Sequence, residues 1–157
     1  MNFTLPPFKS IRYVRADQKQ LILHSPVLYA TAVAHSKLEG GGNHWCFYLV
    51  IDEETSVRLD MTPSHSVGST SIVGGFKVIL GLTVAHFIRL LEGNKRHQYE
   101  FTSQGKGCRY WTDDQLSLFQ MAGLATNPAQ MAEAKAAILT QYPDQVQYPL
   151  VVGGYYV

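Results

Sequence analysis

The stretch NHWCFYLVIDEETSVRLDMT, residues 43–62, sets how this chain folds. Two runs rich in β-branched and aromatic residues flank the polar DEET at 52–55, which is the pattern of a β-hairpin. Along its first arm His44, Cys46, Tyr48 and Val50 share one face, and Trp45, Phe47, Leu49 and Ile51 share the other, because successive strand side chains alternate. Both faces are largely apolar, so this strand is expected to be central and covered on both sides. A triple glycine, Gly40 to Gly42, leads into it and places His44 at the strand mouth.

On either side of the hairpin, residues 11–17 (IRYVRAD) and 20–36 (QLILHSPVLYATAVAHS) read as early strands, and residues 71–80 contain another short one. Thr83 can cap a helix in which Val84, Phe87, Ile88 and Leu91 recur at helical spacing, with Gly93 as its stop. HQYEFT (97–102) alternates like a strand, and the glycine loop SQGKG (103–107) delivers Cys108 to a helix whose apolar stripe is Trp111, Leu118 and Met121. Asn127 followed by Pro128 opens a last helix. These elements predict an α+β domain: a central antiparallel sheet of about five or six strands packed by two or three helices. One globular domain is expected over 1–157, with residues 1–9 as an arm and the apolar tail 142–157 docked.

Composition narrows the function classes. Among 157 residues 46% are hydrophobic and 16% charged, and the formal net charge is +1. No basic block suggests nucleic acid, no apolar run has transmembrane length, and no signal-peptide pattern opens the sequence. With only Cys46 and Cys108 as cysteines, reduced thiols in a cytoplasmic setting are expected. His-x-Cys along a strand is not a zinc spacing, and the glycine runs lack the lysine or helix-plus-acid pattern of nucleotide sites. No metal and no cofactor are therefore expected.

Cys108 carries the sharpest signal. A cysteine at a helix N-terminus gains thiolate stability from the helix dipole and free N–H groups, and Lys106 and Arg109 add positive charge. His44 is the residue type that takes a thiol proton, and Asn43 or Asp60 can orient its ring. His97, close in sequence to the cysteine loop, is a second candidate base. The bland reading of Cys108 is a buried small hydrophobe. Trp45, Tyr48, Tyr99, Arg109 and Trp111 cluster around the same motifs and form a candidate substrate-binding set, although such aromatics often simply pack.

The motifs NHWCFYL, SVRLDMT, RHQYEF and GKGCRYW resemble those of a family of small, mostly fungal proteins carrying a domain of unknown function, over about Ile11 to Leu124. The order strand histidine, neighbouring strand, helix cysteine is also similar to circularly permuted NlpC-type papain-like enzymes, including the lecithin:retinol acyltransferase group. That second resemblance implies Cys108 as nucleophile and His44 as its base, with Asp60 or Thr62 as the third polar residue. Three functions are expected from these readings. The first is a cofactor-independent thiol acyl hydrolase or acyltransferase acting on an apolar small molecule. The second is a cofactor-free cyclase or isomerase, including the pericyclase type, of fungal secondary metabolism. The third is a non-catalytic binding or dimerisation module, and a homodimer is compatible with any of them.

Overall fold

The computed structural model describes residues 15–61, 70–78 and 80–156. Its main sheet is antiparallel and four-stranded, in the order β3-β2-β1-β4, from β1 (Tyr29–Lys37), β2 (Asn43–Val50), β3 (Ser56–Leu59) and β4 (Thr70–Lys77). The hairpin is β2 with β3, and β2 lies inside the sheet.

One face of this sheet is built by a pairing of small with large residues. Ala30, Ala32 and Ala34 of β1 stand opposite Leu49, Phe47 and Trp45 of β2, and all six are fully buried. The alanines leave room for aromatic side chains to reach the helices. Phe47 meets Trp111 and Phe119 of α3 (Cys108–Met121) at ring separations of 6.3 and 5.4 Å. Phe119 in turn meets Phe87 of α2 (Val84–Gly93) edge-on at 5.2 Å. Such edge-to-face pairs add about 0.5–1.5 kcal/mol each beyond the area they bury.

The helix signals act locally as expected, with one substitution of partner. Asn127 caps α4 (Pro128–Ile138) by accepting from the Gln130 N–H, and Pro128 takes the first helical position. At α2 the Thr83 N–H donates to His86 Nδ1, so exposed His86 serves the helix start.

Several expectations are corrected. Residues 19–23 form a short helix, α1 (Lys19–Leu23), where a strand was expected. The sheet of five or six strands is instead the four-stranded sheet plus two-residue ribbons: β5 (Tyr99–Glu100) with β8 (Gly154–Tyr155), and β6 (Thr140–Gln141) with β7 (Val146–Gln147). The extra strand pairs are made by the C-terminal tail. Met121 is 85% exposed rather than part of the α3 stripe. Ten residues on from Trp111, it lies about 80° round the helix. The expected arm at 1–9, and Thr62, lie outside the described residues.

Asn43 ties the tail to the sheet. Its Nδ2 donates to the carbonyls of His35 (2.8 Å) and Tyr142 (3.0 Å), and its Oδ1 accepts from the Tyr142 N–H at 2.7 Å. The side chain is almost fully buried, so truncation strands several polar groups away from water. Asn43→Ala is expected to cost about 2–3 kcal/mol, read as a lower urea midpoint at unchanged slope; an unshifted midpoint would contradict this role.

Candidate functional site

The site forms where β2 begins. β3 runs antiparallel to β2 with Tyr48 opposite Arg58 and Phe47 opposite Leu59, so Asp60, just past β3, falls on the face that carries His44, Cys46 and Tyr48. There the His44 Nε2–H donates to Asp60 Oδ1 at 2.7 Å, and the other carboxylate oxygen pairs with Arg58. Arg58 thus fixes the carboxylate, and the carboxylate fixes the imidazole and its tautomer.

The first turn of α3 is docked on the same end of β2. The Thr112 hydroxyl contacts the Trp45 carbonyl at 3.4 Å, and Cys108 Sγ points at the Asn43 carbonyl at 3.9 Å. Gly107 precedes Cys108 with φ 140°, a conformation that side-chain-bearing residues avoid, and a Cβ there would lie 2.7 Å from the Tyr99 hydroxyl. No side chain caps this helix, so its first-turn N–H groups lack a side-chain acceptor.

His44 and Cys108 act on one another. Burial works against a charged His44 ring, but hydrogen bonds to Asp60 and Cys108, and then the charges of both, raise its pKa to about 9. At neutral pH the ring therefore stands as an imidazolium between Asp60 and Cys108. Cys46 is the opposite case. Burial first, and then the Asp60 charge, push its thiol up to about 12. It is fully buried and lies 3.1 Å from His35 Nε2. Both cysteines are free thiols in opposite chemical settings.

The remaining candidates are mostly structural. Trp45 is fully buried in the core, and Trp111, 3% exposed, donates its indole N–H to the Arg96 carbonyl. Tyr99 holds the loop ahead of Cys108, donating to the Gly107 carbonyl at 2.9 Å and accepting from the Gly153 N–H at 2.8 Å. Arg109 donates to the carbonyls of Ile138, Tyr148 and Pro149, clasping the tail. Tyr48 stays half-buried and stacks on His35. His97 sits in the turn leading from α2 to β5, so the histidine brought to Cys108 is His44.

Two features carried too little signal in the sequence. His35 is buried with its ring centroid 5.8 Å from that of His44, which only the β1–β2 register could reveal. The other is a narrow cleft beside Cys108, about 20 Å³, enough for one water. Main chain at Gly41 and Gly107 lines it, together with Leu38, Tyr148 and Val151. Gly41 has φ 96°, and the Tyr148 ring lies so close that a Cβ would meet it at 2.8 Å. Among the described residues no group of three or more His, Cys, Asp or Glu side chains is arranged to hold a metal ion, and no helix is long and apolar enough to cross a membrane.

A family described as a domain of unknown function, DUF7770, matches the chain over residues 28–75 and 69–156. The chain belongs to the DUF7770 family. No curated protein and no solved structure matches it. The His44, Asp60 and Cys108 of this DUF7770 chain all fall within the matched span.

The raised His44 pKa has a definite sign. Its value of about 9 lies above the 6.5 of a free ring, so its contribution to stability is complete below about pH 6.5 and is lost as pH rises through about 9. In an NMR titration the His44 ring should turn over near 9, and Asp60→Asn should bring the midpoint down. A wild-type midpoint at or below 6.5 would contradict the arrangement.

Proposed function

We propose that this domain is a cofactor-independent thiol acyl hydrolase or acyltransferase in which Cys108 is the nucleophile, His44 its base and Asp60 the residue that orients the base. One observation carries the reading. The His44 ring is held by Asp60 at 2.7 Å through Nε2 and interacts at the same time with the thiol at the start of α3. Nucleophile, base and orienting acid are the parts a covalent acyl-transfer mechanism requires.

In this reaction His44 already holds the catalytic proton as an imidazolium, and Cys108, as the thiolate of that ion pair, attacks the substrate carbonyl carbon. The resulting oxyanion is stabilised by the uncapped N–H groups at the start of α3. As the tetrahedral intermediate collapses, the leaving group takes the proton from His44 and departs, leaving a thioester on Cys108. Water, or an alcohol or amine acceptor, gives its proton to His44 as it attacks the thioester, and Cys108 departs as the thiolate, restoring the thiolate–imidazolium pair. The chemistry needs no metal or organic cofactor. Its two free thiols suit a reducing, cytoplasmic setting.

Less supports a cofactor-free cyclase of secondary metabolism. Such an enzyme relies on a shaped apolar pocket, whereas Trp45 and Trp111 are spent on the core and the cleft beside Cys108 is only about 20 Å³.

Alkylation by iodoacetamide near neutral pH tests the triad. Cys108 should react in the native protein, and His44→Ala should slow it by about 10²-fold or more. Asp60→Asn should slow it less, because the ring remains and only its orientation is lost. Cys46 should react only after denaturation. Equal Cys108 rates in wild type and His44→Ala would sink the proposal.

A further inference from the structure

Lys106 and Arg109 place two positive charges on the lining of the cleft beside Cys108, and that lining contains no acidic residue. Among the described residues neither cation meets a carboxylate. Several other cations are paired: Lys37 with Asp144, Arg58 with Asp60, Arg96 with Asp114 and Lys135 with Asp113. Lys106 Nζ instead donates to the Gly40 and Gly41 carbonyls at 2.9 and 3.0 Å and to the Tyr148 hydroxyl at 3.3 Å. Arg109, 6% exposed, is held by main-chain carbonyls and lies over the Tyr148 ring at 5.4 Å. Neutral oxygens satisfy hydrogen bonds but cancel no net charge, and a buried cation without a counter-charge is costly. Burial lowers the Arg109 pKa, and the neighbouring Cys108 charge is the first of the influences that raise it again.

We propose that the cleft takes an anionic acyl compound, with a carboxylate or phosphoryl group close to the reacting carbonyl, and that Lys106 is the residue that binds this anion. The proposal rests on Cys108 being an acyl-transfer nucleophile and names the substrate class. The cleft is narrow, with room for about one water. The substrate therefore enters as the Lys106 ammonium leaves the Gly40 and Gly41 carbonyls for a charged oxygen. The glycine loop keeps its other clasp, the Tyr148 hydroxyl donating to the Gly40 carbonyl at 2.7 Å. Arg109 stays in place and supplies a fixed positive field.

Iodoacetate and iodoacetamide are near-isosteric alkylating agents that differ in charge, so the ratio of their rates on Cys108 reads the field where substrate would sit. Wild type should favour iodoacetate. Lys106→Gln should lower the ratio about three- to tenfold, Lys106→Arg should keep it, and added salt should move wild type toward the Gln variant. Protection of Cys108 by acetate would point to a carboxylate, and protection by inorganic phosphate to a phosphoryl group; protection by neither overturns the proposal. If Lys106→Gln slows both reagents equally, the lysine serves only the thiolate or the loop, and the anion site falls while the triad stands. If native Cys108 reacts with neither reagent, both readings fall.

Discussion

Phe47 packs against Trp111 and Phe119, and the Thr112 hydroxyl reaches the Trp45 carbonyl, so α3 is seated along the first half of β2. This seating positions both the core and the site. It buries the large face of β2 over the alanines of β1, and it brings the first turn of α3 to the residue where β2 begins. Asn43 and His44 stand at that point, Asn43 tying in the tail and His44 facing the thiol. A helix start delivered to a strand start puts a thiol, an imidazole and free main-chain N–H groups in one place. The core packing that stabilises the domain therefore also sets the geometry of the site.

Local signals in the sequence foretold the parts that depend on local physics. Strand alternation placed His44 on one face with Cys46 and Tyr48, residue type offered Asp60 as a partner for its ring, and the glycines of GKG marked the start of α3. The cap residues Thr83 and Asn127 marked two more helices. The unread parts depend on distant partners. The ribbons β5–β8 and β6–β7 are two-residue pairings, and β8 pairs with a segment more than fifty residues away, a contact that no local period encodes. α1 has no side-chain cap and only five residues, so an apolar QLIL read as strand. The aromatic residues Trp45, Tyr99 and Trp111 were equally consistent with a pocket or a core, because composition does not say which way a ring faces. Cys46 and His35 became a pair only once the register of β1 on β2 was fixed.

Electrostatics separates the two cysteines more clearly than position does. Both are nearly inaccessible, at 0% and 2% exposure for Cys46 and Cys108. Cys46 is desolvated beside a carboxylate, which disfavours its anion. Cys108 has an imidazolium, Lys106 and Arg109 for neighbours, and a helix start under it. The two thiols thus sit in different settings, Cys46 beside His35 in the core and Cys108 beside His44 at the start of α3.

If Cys108 carries an acyl group with His44 as its base, the acyl-enzyme itself is measurable. Intact-mass and peptide-level detection would follow brief mixing of the protein with a panel of small thioesters and activated esters that includes anionic acyl groups. An acyl adduct is expected on the Cys108 peptide, none on Cys46, and its loss over the same interval in His44→Ala. An adduct that forms equally fast without His44, or that never forms on Cys108, would contradict the mechanism.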